Sequence, residues 1–123
     1  MKLNFRLWQE ATNNFSFFTF EDIAKRNRAF QSGLFETELL KGNINLYTGV
    51  NDFCASGIYG KDIIEYKNSK EYGVGIVEFD KGGFIVKWIK QNFNSLMTPM
   101  YYLTCEKELR KIGNVYQNPE LLD

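Results

Sequence analysis

Asp62-Ile63-Ile64-Glu65-Tyr66, Gly73-Val74-Gly75-Ile76-Val77-Glu78-Phe79 and Phe84-Ile85-Val86-Lys87-Trp88 decide the fold. Each run has strand length and is rich in β-branched and aromatic residues. The turn-prone stretches Lys67-Asn68-Ser69-Lys70 and Asp80-Lys81-Gly82-Gly83 separate them. Short polar turns between such runs predict consecutive antiparallel pairing, a meander. Within it, Ile64, Val77 and Val86 are expected to lie deeper than Lys67, Glu78 and Lys87. Gly73 and Gly75 flank Val74 in the middle run, and glycines in a strand mark a bulge or a sharp bend. Both suit the curling of a small barrel.

Upstream, Leu3, Phe5 and Leu7 alternate with Lys2, Asn4 and Arg6, the two-residue period of a half-buried strand ending at Trp8. Ala11 to Asn14 reads as a turn. In Phe15 to Phe20, aromatic residues fall in both alternation classes, so a strand there is apolar on two faces and needs cover on both. From Glu21, acids come first, then Ile23, Asn27 and Phe30 at helical spacing, then Gly33, so a short helix is predicted. Leu34 to Lys41 reads equally as helix or strand. Ile44 to Tyr47 is β again, and Asn51 to Gly57 reads as an exposed loop. Downstream of the meander, Pro99 breaks the chain. Met100 to Cys105 reads as a strand, Glu106 to Lys111 as one or two helical turns, and Ile112 to Tyr116 as a last short strand. The fold class is α+β and mainly β: a small SH3-like antiparallel barrel or meander with a short N-terminal helical insertion, as one domain over residues 1–123.

Composition narrows the function classes. The 123 residues carry fifteen basic and fifteen acidic side chains, so no net field favours a polyanion. Lys25, Arg26 and Arg28, the richest basic run, follow Glu21 and Asp22, which fits a solvated helix face with acids at its start. Cys54 and Cys105 are too few and too far apart for a metal knuckle or a disulfide scaffold, and reduced cytoplasmic thiols are the default. Charges at Lys2, Arg6 and Glu10 argue against a signal peptide, and no window has the length of a membrane span. A cytoplasmic protein is expected.

Four segments carry a family resemblance: Leu3-Asn4-Phe5-Arg6-Leu7-Trp8; Leu46-Tyr47-Thr48-Gly49; Ile58-Tyr59-Gly60-Lys61-Asp62-Ile63-Ile64-Glu65-Tyr66; and the most specific, Ile112-Gly113-Asn114-Val115-Tyr116-Gln117-Asn118-Pro119-Glu120-Leu121-Leu122. In this order they resemble the YopX family of phage and prophage proteins over nearly the whole chain, leaving about Lys25 to Gly42 unmatched. The resemblance implies a phage or prophage gene product, a β-rich domain that includes a small barrel, and self-association. It implies no established activity, cofactor or catalytic residue. Physically, Pro119 ends any strand before it, and Tyr116, Leu121 and Leu122 are expected to lock the C-terminus against the core.

With no histidine in the chain, Ser-His-Asp, Cys-His and other imidazole-based acid–base schemes are excluded. Asp62 with Glu65 or Glu78 is the least poor carboxylate pair, but acids flanking strands are usually solvated, and no catalytic, cofactor or metal residue is assigned. Cys54 beside Asp52 is an inert thiol. Neither Gly73-Val74-Gly75 nor Gly82-Gly83 has the strand-to-helix setting of a phosphate loop.

Two classes of function follow. The favoured one is a non-enzymatic module that binds an unknown host or phage protein and self-associates, with Phe15, Phe17, Phe18 and Phe20 as the interface between copies. The alternative is a nucleic-acid surface made by Tyr59, Lys61, Tyr66, Tyr72 and Trp88, in which Tyr47, Tyr59, Tyr66, Tyr72 and Trp88 form a stacking platform and Lys61, Lys67, Lys87 and Lys90 lie near it in sequence. Against it, most such aromatics in a small β domain are core or cross-strand pairs.

Overall fold

The computed structural model describes residues 4–19, 21–22, 41, 43–103 and 108–123. They are mainly β. The chain divides into two compact units, Met1–Tyr47 and Thr48–Asp123, and the boundary falls inside one strand.

In the first unit, β1 (Asn4–Gln9) and β2 (Asn14–Thr19) form an antiparallel hairpin, and β1 pairs on its other side with the start of β3 (Ile44–Asn51). Asn13 closes the hairpin turn at φ 54, a left-handed conformation that asparagine tolerates. The register sets Trp8 opposite Phe15 and Phe5 opposite Phe18. Both pairs meet, edge to face at 5.0 Å and stacked at 5.6 Å. The expectation of aromatic residues on both faces therefore holds.

Simple alternation fails at Arg6, which is 2% exposed. Its guanidinium lies 4.1 Å from the Phe15 ring centroid, and its Nε donates to Asn45 Oδ1 at 2.9 Å. A buried charge survives when hydrogen bonds and a π face replace its water. After β2, the Thr19 N–H donates to Asp22 Oδ2 and the Asp22 N–H donates back to Thr19 Oγ1, a reciprocal cap that opens a helix at Glu21. The remainder of the predicted helix, residues 23–33, and the ambiguous stretch 34–40 lie outside the described residues, as does Phe20.

In the second unit, β4 (Gly57–Tyr59) lies beside β3. A five-stranded antiparallel sheet runs in the order β8-β7-β6-β5-β9, with β5 Asp62–Lys67, β6 Tyr72–Asp80, β7 Gly83–Gln91, β8 Met97–Pro99 and β9 Leu109–Asn114. The predicted meander is β5-β6-β7, paired as expected. Ile64, Val77 and Val86 have no exposed surface, and with Ile58, Tyr66, Trp88, Met100, Leu103 and Leu109 they form the core.

Four expectations need correction. The sheet does not close into an SH3-like barrel: β8 and β9 are its two edges among the described residues. β8 is only three residues long and ends in Pro99, which has no N–H to offer a further strand. Beyond it, Met100–Tyr102 is a 3₁₀ turn rather than a strand. Leu109 to Lys111 is strand rather than helix, because β9 pairs with β5 and that pairing overrides local propensity. Finally, the loop after β3 is not wholly exposed. Asp52 is buried, accepts from the N–H groups of Cys54 and Ser56 through Oδ1, and accepts from the Lys111 N–H through Oδ2.

The C-terminal motif is an asparagine knot. Asn114 Oδ1 accepts from the N–H groups of Tyr116 and Gln117, and Asn118 Oδ1 accepts from the Asn114 N–H. A Cβ on Gly113 would stand 2.6 Å from Asn118 Oδ1, so glycine is required there. Tyr116, Leu121 and Leu122 are half-buried, a looser lock than expected.

Candidate functional site

The second unit carries a pocket of about 320 Å³ between the β5–β6 turn and the β7–β8 loop. Four aromatic side chains wall it: Tyr66, Trp88, Phe93 and Tyr102. Glu71, Asn94, Ser95 and Thr98 supply the polar part, at a volume near the lower end for ligand sites.

Glycines build the floor. A Cβ on Gly73 would lie 2.8 Å from the Trp88 ring and 3.0 Å from Phe93, and one on Gly75 would lie 2.5 Å from Val86 Cγ1. Only without those carbons can the Trp88 ring lie on β6. The expected irregularity sits here too, since Val74 pairs with Lys90 while Gly75 pairs with Trp88, leaving Ile89 as the extra residue of a bulge in β7. Trp88 and Phe93 stand at 89° to one another with centroids 4.9 Å apart, and Tyr66 is inclined at 51° to Trp88.

Two asparagines hold the rims. Asn68 Oδ1 accepts from the N–H groups of Lys70 and Glu71, shaping the turn, while its Nδ2 donates to the Tyr66 hydroxyl at 2.8 Å and to Glu71 Oε1 at 3.3 Å. Asn92 Oδ1 accepts from the Tyr72 N–H, and Asn92 Nδ2 donates to the Lys70 carbonyl, tying the two rims together. The Trp88 indole N–H is already donated to Thr98 Oγ1 at 2.8 Å, and the Ser95 hydroxyl to the Met97 carbonyl at 2.7 Å. Glu71 is exposed and has no ion pair among the described residues. The lining thus offers ring surfaces and one carboxylate, with two of its donors committed elsewhere. Beside it, Tyr102 holds the Tyr101 hydroxyl above its ordinary pKa through a side-chain hydrogen bond.

Of the five residues named for a stacking surface, the pocket gathers Tyr66 and Trp88, each under 10% exposed. Their rings belong to the core. Tyr72 is 39% exposed, and Tyr59 is half-buried at the end of β4. Lys61, in the β4–β5 turn at φ 72, shares Glu78 with Lys87 at 3.5 and 3.2 Å, so both lysines have a carboxylate beside them. Of the carboxylates, Asp62 is fully buried, with Lys111 Nζ at 3.5 Å and the Tyr59 N–H donated to its Oδ2, while Glu78 is paired with Lys61 and Lys87. Among the described residues, no three histidine, cysteine, aspartate or glutamate side chains come together as metal ligands, and no helix is long and apolar enough to cross a membrane. Cys54 is an exposed free thiol.

Sequence reasoning missed Phe93, Tyr102 and Glu71. Phe93 sits in a polar stretch, and Tyr102 lies in a segment of strand-like composition that turns as a 3₁₀ helix instead. The available signal was the pair Gly73 and Gly75, small residues that leave room for a large ring from a neighbouring strand. In the first unit, Phe15 and Phe18 are half-buried on opposite faces of β2, and Phe17 is 64% exposed.

Comparison with known proteins adds two findings. The family model described as YopX protein matches residues 4–123. The crystal structure of protein EF1440 from Enterococcus faecalis is similar at a TM-score of 0.55, with 17% sequence identity over 98% of each chain, a likeness of fold. No curated protein matches the sequence.

Proposed function

The chain belongs to the YopX protein family, and on that footing we propose that it acts by binding: a non-enzymatic, phage- or prophage-encoded interaction module that assembles as a homo-oligomer in the bacterial cytoplasm. The observation that carries the reading is the pocket lined by aromatic side chains on the five-stranded sheet. Clefts lined by aromatic side chains with a few polar groups are where side chains and small groups bind. Catalysis is disfavoured by what lines it. Ser95, the nearest hydroxyl to a nucleophile, donates to a backbone carbonyl and meets Thr98 at 3.4 Å rather than a base. A nucleic-acid platform is the weaker reading, because Tyr66 and Trp88 are core residues and Lys61 and Lys87 share one carboxylate.

Site-specific photo-crosslinking tests it. A photoreactive residue at exposed Tyr102, on the pocket rim, is expected to capture a discrete host or phage protein in infected or lysogenic cells. The same residue at Lys81, in the distant β6–β7 turn, is not. Identical capture from both positions, or micromolar salt-sensitive shifting of short nucleic-acid probes, overturns the reading.

A further inference from the structure

β8 and β9 each have one neighbouring strand among the described residues. In an antiparallel ladder, successive residues turn their N–H and C=O alternately towards the partner strand and away from it, so an edge presents groups that another chain can pair with. On β8 the Met97 carbonyl takes the Ser95 hydroxyl at 2.7 Å, and Pro99 has no N–H. β9 is longer, and there the chain's own groups take the places a further strand would fill. The Leu109 carbonyl accepts from the Phe53 N–H at 2.9 Å, and the Lys111 N–H donates to Asp52 Oδ2 at 2.9 Å. Past the shift in register, the Asn114 N–H donates to Asn118 Oδ1 at 3.1 Å, and the Asn114 carbonyl accepts from the Asn118 N–H at 3.0 Å.

Asp52 is buried although it sits in a loop. One of its oxygens holds the loop's own turn through Cys54 and Ser56, and the other reaches across to β9. A carboxylate oxygen is a stronger acceptor than the amide carbonyl of an incoming strand. We propose that Asp52 and Asn118 are edge guards: they occupy the outer side of β9 and keep it from adding a strand of a second copy, so that copies do not join through the sheet of the second unit. The inference goes beyond the binding reading and does not rest on it.

Hydrogen exchange on the parent chain is the first test. The Lys111 amide is expected to be protected at least about tenfold more than that of Lys81 in the exposed β6–β7 turn, and equal protection overturns the proposal. Asp52→Asn then opens the edge, since it keeps the bonds from Cys54 and Ser56 only by setting its NH₂ against the Lys111 N–H. Asn118→Ala opens the other end by freeing the Asn114 N–H. Both are made in a Phe17→Asp chain, so that contacts through β2 do not obscure the readout. Each is expected to speed exchange of its own freed amide about tenfold or more, the factor of a hydrogen bond to a strong acceptor. Each is also expected to produce larger species whose share grows with concentration in size exclusion with light scattering. Ile64→Val in the same background trims the core without touching β9 and is expected to leave the size unchanged. A freed amide with no growth in size overturns the proposal. Equal growth with Ile64→Val also overturns it, assigning association to lost stability. Either guard variant suffices, so one that fails to fold leaves the other to decide.

Discussion

The two units solve burial differently. The second encloses an apolar core of branched aliphatic and aromatic side chains, with Ile58, Ile64, Val77 and Val86 fully out of water. The first, among its described residues, buries Leu7 and Trp8 beside Arg6 and Asn45. An apolar core gains by the area it hides. A core containing a guanidinium gains only while every polar contact holds, because the charge has already lost its water. The second unit should therefore respond to lost volume and the first to lost partners.

Breaking that contrast begins at the centre of the second unit. Ile64→Ala removes methyl and methylene groups from a site with no exposed surface and is expected to cost roughly 2–5 kcal/mol in denaturant unfolding. A loss below about 0.5 kcal/mol, the scale of surface changes, would mean that this core does not hold the unit together. In the first unit, Arg6→Met keeps the length of the side chain but gives up the hydrogen bond to Asn45 and the cation over Phe15. Its expected cost is about 1.5–3 kcal/mol, the range for hydrogen bonds to charged groups. If methionine there stabilises instead, the guanidinium is a burden that the first unit carries for another reason.

How much of this the sequence discloses depends on the kind of force involved. The meander is legible because branched and aromatic runs of strand length, parted by polar turns, leave little choice of partner. β9 is half legible: its end, Ile112–Asn114, falls in the predicted last strand, whereas Glu106 to Lys111 has helical composition and only the β5 edge makes Leu109–Lys111 a strand. Arg6 is misplaced by any scheme that puts charge outside, because its compensation comes from Asn45, thirty-nine residues away in sequence. The pocket is half legible. Tyr66 and Trp88 stand out as aromatics, but their burial depends on the missing Cβ atoms of Gly73 and Gly75, and Phe93 and Tyr102 join through loops whose shape comes from Asn68 and Asn92.

Glycines in one sheet sharpen the argument about volume. At Gly75 an added Cβ would meet Val86 Cγ1 at 2.5 Å and the Lys87 carbonyl at 2.7 Å, backbone that cannot easily retreat. Gly75→Ala is expected to cost about 1–3 kcal/mol as an overpacking strain and to displace Trp88, which its altered fluorescence or indole N–H shift would report. Gly83→Ala, with nothing within 4 Å of the new carbon and no left-handed φ, is expected to be neutral or to stabilise by about 0.4–1 kcal/mol. Equal losses at both positions would point to backbone freedom rather than packing as what the sheet needs from glycine.

The smallest expected effect on stability is also the one that bears on assembly. Phe17 is 64% exposed on β2, and its neighbour Phe15 touches it at 6.2 Å between ring centroids. A large aromatic ring facing water from a hairpin strand is the kind of surface that a second copy can cover, and a symmetric pair would bring the same patch of each chain together. Phe17→Asp takes little from the folded unit, since most of the ring is already solvated, and unfolding is expected to stay within about 0.5 kcal/mol of the parent. Assembly should respond sharply, because a carboxylate buried at a two-fold contact meets its own copy and loses its water. Light scattering after size exclusion at micromolar concentration is expected to find an oligomer for the parent chain and the 14.4 kDa monomer for the variant. A parent chain that runs as a clean monomer removes self-association from the proposed function. An oligomer that survives Phe17→Asp moves the interface off this strand and leaves the exposed ring to another partner.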